Sequence, residues 1–192
     1  MSRYVPAAGV GVGRMFLVAI VLASALAVPP LGGRLGALAE VRLRLPWLLP
    51  AALALQVLAI SLPGVPDRLR PPLHVASYLV AGAFLVANRR LPGAPVVALG
   101  AAANLLAIAA NGGVMPASPA AVAAAGLPPD PGGFANSAVL ADPRLAFLGD
   151  VFAIPRGWPL ANVFSVGDVL IAVGAVVAVH GICGSRPPWR RR

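Results

Sequence analysis

Residues 166–183 read VGDVLIAVGAVVAVHGIC. One acid in the first turn and one histidine near the end interrupt an otherwise apolar or small run. Eighteen residues of helix extend about 27 Å, close to the roughly 30 Å of a bilayer's hydrocarbon core. Lipid offers backbone N–H and C=O groups no partner, so such a run must be helical. Four more apolar runs precede it, near residues 15–31, 46–62, 73–88 and 95–110. The pattern predicts an all-α fold: a polytopic membrane helix bundle of about five transmembrane helices. Small residues recur in the last two runs (Gly100, Ala103, Ala107; Ala172, Gly174, Ala178). Small residues let helices approach closely in lipid, so these two are expected to pack together.

Composition points the same way. Ala, Leu and Val supply 92 of 192 residues, and only 11% are charged. A soluble domain carries about 25% charged residues. So few charges cannot cover a water-facing surface, and so much apolar content excludes disorder despite 21 Gly and 21 Pro. The single cysteine, Cys183, rules out an intrachain disulfide and a Cys-rich metal site. No metal and no cofactor are expected. The net charge of +9 comes entirely from arginine on the basic side. The absence of Lys fits a GC-rich genome. Most arginines flank apolar runs, where they set orientation in a membrane. No basic stripe with interleaved aromatics is present, so nucleic acid is not an expected partner.

Arg34, Arg42, Arg44, Arg89, Arg90, Arg186 and Arg190–Arg192 fall on one side, nine in all, against six on the other. The positive-inside rule makes the richer side cytoplasmic. The expected location is the bacterial inner membrane, with the N-terminus and residues 111–164 outside and the Arg-rich tail 184–192 inside. Residues 1–14 form a short Gly-rich tail, and Met15 is an alternative start. Ala25-Leu26-Ala27 has the form of a signal-peptidase site, but cleavage there would strand Arg34, Arg42 and Arg44 outside, so the helix is expected to stay uncleaved.

The outer segment 111–164 holds eight Pro and seven Gly and reads as a long loop. Within it, Ser118-Pro119, Ala120–Ala125 and Gly126 predict a short helix with its cap, start and stop. Residues 145–154 (LAFLGDVFAI) are too short to span and predict an interfacial or re-entrant piece.

Ser165-Val166-Gly167-Asp168 has the spacing of a helix capping box, whose carboxylate also meets the positive helix end. Asn111-Gly112-Gly113 closes the fourth run as a helix C-terminus. Asn104 lies two turns below Asn111 on the same face, where an amide in lipid must join helices or line a pocket. Asn104, Asn111, Ser165 and Asp168 are the candidate ligand-binding residues. Asp150 is the acid inside an apolar pentad. It caps a turn, pairs with Arg156, or shares a site with Asp168. His74 and Tyr78 fall on one helical face and suit an interfacial anchor or a proton-handling pair. No catalytic residue is identified; Asp150, Asp168 and His74 are the candidates. Trp47 fits an inner aromatic belt and Trp158 an outer one.

The run Gly32-Gly33-Arg34-Leu35 followed by Leu38-Ala39-Glu40-Val41-Arg42-Leu43-Arg44 resembles a bacterial membrane family catalogued as domain of unknown function 5317. Asn111–Pro116, Leu148-Gly149-Asp150 and Phe164-Ser165-Val166-Gly167-Asp168 fit the same resemblance. It covers residues 15–183 and implies a small multi-pass protein, with no reaction, substrate or cofactor attached.

The residues favour a non-enzymatic small-ligand-binding or accessory membrane subunit with a polar cleft opening outward. Its expected partners are membrane lipid and a protein within the membrane. The alternatives are a membrane-embedded enzyme acting on a lipid-type substrate, or a transporter component. HExxH, GxSxG and Asp-rich diphosphate motifs are all absent from the sequence.

Overall fold

The computed structural model of the chain describes residues 12–60, 62–127 and 136–186. The N-terminal tail, the 128–135 linker and the arginines of the extreme C-terminus lie outside the described residues. Among those described there are seven α-helices: α1 (Val12–Ala27), α2 (Ala37–Glu40), α3 (Leu48–Ile60), α4 (Arg70–Ala87), α5 (Ala94–Ala110), α6 (Pro119–Ala125) and α7 (Val166–Cys183). Strand β1 (Met115–Pro116) pairs in parallel with β2 (Ser137–Ala138). Strand β3 (Phe152–Ile154) pairs antiparallel with β4 (Asn162–Phe164).

The expectation of five spanning helices is corrected. Among the described residues, two helical stretches are long and apolar enough to cross a membrane: Asp67–Ala87, which adds a 3-10 turn to α4, and Val166–Cys183. The other apolar helices, Phe16–Ala27, Leu48–Ile60 and Ala94–Ala110, are shorter. With 13 residues, α3 reaches only about 20 Å. Hydropathy overstated the first two, α1 and α3, because apolar turns flank them, whereas α5 keeps the length its sequence predicts. Pro29 and Pro30 disfavour helix in the residue ahead of each, so α1 stops at Ala27. Leu45, at φ 50, breaks the chain just before α3. The all-α expectation is corrected too, since residues 111–127 and 136–164 fold into a small α/β cap rather than a loop.

Helices α5 and α7 run antiparallel and touch through glycines. A Cβ on Gly100 would collide with the Gly167 carbonyl oxygen. A Cβ on Gly174 would lie 2.6 Å from Val97 Cγ2 and 2.7 Å from Val97 N. The small-residue pattern had anticipated this pairing. α3 and α4 form a hairpin. At its turn the buried Arg70 guanidinium donates to the carbonyls of Ala59 (3.0 Å) and Leu62 (3.1 Å), capping the end of α3. Asp67 lies 3.2 Å from the same guanidinium.

α1 runs parallel to α7. At one end Phe16 stacks on Phe164, with ring centroids 5.2 Å apart. At the other, Arg34 N–H donates to Cys183 O (2.9 Å) and Arg186 N–H to Leu31 O (3.0 Å), over a core of Val28, Val179 and Cys183.

The cap has its own core of Ala117, Ala121, Val122, Ala125 and Val163. Helix α6 starts after Ser118 and stops at Gly126 (φ 67), as its sequence predicts. Its buried face lies in the cap core. Ala107, Ile108 and Met115 then pack with Val75, Tyr78 and Leu148 to join cap and helices.

Two helical glycines give opposite predictions. Nothing lies within 4 Å of a Cβ built on Gly82 of α4. Gly82→Ala should therefore stabilise by about 0.5–1 kcal/mol through reduced backbone entropy. Gly100→Ala should destabilise by about 1–3 kcal/mol through overpacking. Thermal unfolding followed by circular dichroism tests both, and a Gly100→Ala protein as stable as the native one would contradict the close helix contact.

Candidate functional site

Helix α7 begins with the capping box its sequence announces. Ser165 Oγ accepts from Asp168 N–H at 3.0 Å, and Asp168 Oδ2 accepts from Ser165 N–H at 3.0 Å. Asn104 reaches this box from α5. Its Nδ2 donates to Asp168 Oδ1 (2.9 Å), and its Oδ1 accepts from Ser165 Oγ (2.8 Å). Asn104 is 1% exposed and Ser165 0%. Gly167 makes room, because a Cβ there would collide with the Asn104 side-chain oxygen. Three of the four candidate ligand-binding residues are thus brought together, and their polar atoms face one another.

Asp150 lies in the cap, 6% exposed. Its backbone bridges β1 and α6: its N–H donates to Pro116 O (2.9 Å), and its carbonyl accepts from Ser118 N–H (3.0 Å). Its Oδ2 accepts from the Ser137 hydroxyl at 2.5 Å. Burial pushes the Asp150 carboxyl from 3.8 up to about 7; the Ser137 bond opposes the rise and the charge of Asp168 adds to it. Arg156 serves elsewhere: its side chain packs along Gly126, and its N–H donates to Ala124 O (2.9 Å).

His74 and Asn111 hold the turn that follows α5. His74 is buried, with Nδ1 2.8 Å from Gly113 O. Its ring meets Tyr78 edge-on at 5.6 Å. This buried position between α4 and the turn differs from the surface anchor the sequence suggested. Gly113 (φ 95) presses on Pro71, where a Cβ would collide. The Asn111 amide donates to Ala107 O and Arg144 O, both at 2.7 Å, and its Oδ1 accepts from Arg144 N–H at 2.9 Å. Asn111 thus clips the cap to the end of α5, and these bonds do not extend to Asn104.

Sequence reasoning missed Arg70 and Asn88. Arg70 is among the six arginines counted above only for orientation. Asn88 closes α4 as Asn111 closes α5, and both follow Ala at the end of an apolar run, which is the signal that pairs them.

The cap also carries an apolar groove of about 300 Å³ whose lining includes Pro116, Pro119, Leu140, Phe147 and Val151. None of Asn104, Ser165 or Asp168 lines it. No group of three or more His, Cys, Asp or Glu placed to hold a metal ion occurs among the described residues.

The model of one family, described as a family of unknown function (DUF5317), matches residues 40–180. That span takes in α3 through most of α7, and with them the whole cap. No curated protein and no solved structure matches the chain.

The raised carboxyl predicts a pH dependence. Protonated Asp150 is the form the fold holds best, so its contribution is complete below 3.8 and is lost as pH rises through about 7. Asp150→Asn stays neutral throughout. It should melt above the native protein at pH 8 and close to it at pH 4. Parallel melting curves for the two proteins across that range would remove Asp150 as the titrating group.

Proposed function

The chain belongs to that family of unknown function, and from this premise we propose that it is a non-enzymatic accessory or small-ligand-binding protein of a bacterial cell membrane. In this reading α4 and α7 cross the bilayer. The cap faces outward, and the end formed by Gly33, Asn88 and Gly184 faces the cytoplasm.

One observation carries the membrane reading: the helical surface is inverted relative to a water-soluble protein. Leu22 and Leu26 on α1, Leu53 on α3, Leu79 and Val86 on α4, Leu99 and Leu106 on α5, and Val173 on α7 all point outward and are exposed. Ser24, His74, Ser77 and Asn104 on the same helices are buried. Water would penalise so large an apolar surface, whereas lipid accepts it and drives polar groups inward. The arginine bias supports the orientation.

Support for a non-enzymatic role comes from how the polar side chains are used. Asp168, Asn104, Ser165 and Asn111 spend their hydrogen bonds tying α5 to the start of α7 and to the cap. The cap groove, at about 300 Å³, falls at the small end of ligand sites and suits an apolar molecule. A second reading, an enzyme working at the outer interface, is favoured by one feature only. Asp150 is a buried carboxyl titrating near neutrality, as a general acid or base would.

Reconstitution in nanodiscs followed by native mass spectrometry tests the proposal. The expected result is one small molecule per protein, lost in Leu140→Trp, which fills the groove, and retained in Asp150→Asn. A bare native protein removes the ligand and leaves the accessory role. A bound molecule turned over by the native protein but not by Asp150→Asn would overturn the non-enzymatic reading. Asn104→Ala should cost only stability, about 0.6–2 kcal/mol for the interhelical bonds removed.

A further inference from the structure

A short motif occurs twice, and both copies are held the same way. Residues 44–48 read Arg-Leu-Pro-Trp-Leu, and residues 144–148 read Arg-Leu-Ala-Phe-Leu. In each, the first leucine takes a left-handed backbone, φ 50 at Leu45 and φ 52 at Leu145. In each, the last leucine closes a turn onto it: Leu48 N–H to Leu45 O at 3.1 Å, Leu148 N–H to Leu145 O at 2.9 Å. The arginine backbone of each is gripped on both sides by one asparagine. Arg44 N–H donates to Asn88 Oδ1 at 2.8 Å, and Arg44 O accepts from Asn88 Nδ2 at 2.8 Å. Asn111 does the same for Arg144. Each asparagine also donates to the carbonyl four residues back, Phe84 or Ala107, on the helix it terminates.

The two copies stand at opposite ends of α4. The first is tied to Asn88, directly after the C-terminus of α4. The second is tied to Asn111, two residues before Gly113, which packs on Pro71 and His74 in the first turns of α4. The 18 residues of α4 set the ends about 27 Å apart. Both turns present the same surface. Arg44 and Arg144 are exposed, and Trp47 and Phe147 are 61% and 67% exposed. A cation beside an exposed aromatic suits the boundary of a bilayer, with the guanidinium on lipid phosphate and the ring at the level of the headgroups. Bulk water would not favour fixing an exposed indole, and an exposed phenyl ring that also lines the cap groove, outward on rigid turns.

We infer that the two turns are a matched pair of bilayer anchors, one for each leaflet. Arg44 and Arg144 bind lipid phosphate, Trp47 and Phe147 seat beneath it, and Asn88 and Asn111 lock each turn to a helix end. The inference rests on the membrane reading above and adds to it which residues fix depth.

Depth-dependent quenching in phosphatidylcholine–phosphatidylglycerol vesicles tests it. One full-length variant keeps Trp47 as its single tryptophan (Trp158→Phe, Trp189→Phe). A second adds Trp47→Phe and Phe147→Trp. Lipids carrying a quencher at the headgroup or at a mid-acyl carbon are compared after flotation of the vesicles. The expected result is that both proteins float and that headgroup quenching exceeds mid-acyl quenching at least twofold at both positions. Protein that floats but is quenched mainly from the aqueous phase, or mainly at mid-acyl depth, overturns the anchors and leaves the membrane reading standing. Protein that fails to float overturns the membrane reading itself. Asn88→Ala should blur the profile at Trp47 alone, and Asn111→Ala the profile at position 147 alone. Loss at both positions from either change would overturn the local clip.

Discussion

The contact between Gly100 and Gly167 is the constraint on which much of the molecule depends. It brings the backbones of α5 and α7 together at a point where any side chain would force them apart. One turn further along α5, that proximity lets Asn104 reach across to Ser165 and Asp168. Ser165 is also the residue through which β4 passes into α7. The helix contact therefore fixes β4, β4 fixes β3, and α6 packs on both to complete the cap. A buried polar cluster of this kind stabilises only when every member is satisfied, and here each atom of the Asn104 side chain has its partner within the cluster.

Helix termini carry the second layer of organisation. Asn88 and Asn111 end their helices and hold a distant backbone in the same gesture. Arg70 opens α4 and satisfies the carbonyls that end α3. Free backbone groups at helix ends are costly wherever water is scarce. The chain resolves that cost by spending its few polar side chains on backbone partners. This leaves the lateral faces of the helices almost wholly apolar.

What was legible in the sequence divides along the range of the interaction. Helix α7 was readable from 166 to 183 because its cap, its apolar run and its stop are all local. Its pairing with α5 was readable because small residues mark a close approach. The lengths of α1 and α3 were not, since hydropathy sees Leu and Pro in a turn as readily as in a helix. The cap was hidden because strands of two or three residues show no alternation, and its Pro and Gly read as loop. Asn104 and Asp168 were each singled out, yet their bond spans 64 positions and nothing local records it. Arg70 and Asn88 escaped because their partners are backbone groups, which side-chain pattern does not name; the Ala-Asn pair marks the end of α4 but not what Asn88 grips.

The clasp between the ends of α1 and α7 has a consequence for the order of assembly. Arg34 and Cys183 are 149 positions apart, and Val28, wholly buried, gains its neighbours Val179 and Cys183 only from the last helix. Synthesis at about 5–20 residues per second separates the two helices by roughly 7–30 s. During that interval the first helix exists without the partner that completes it, and it lies outside the span matched by the family model. The packing runs in series, α3 on α4, α4 on α5, α5 on α7 and α7 on α1, so the first helix is placed by a late one. A chain interrupted before residue 166 lacks the helix on which α1 packs.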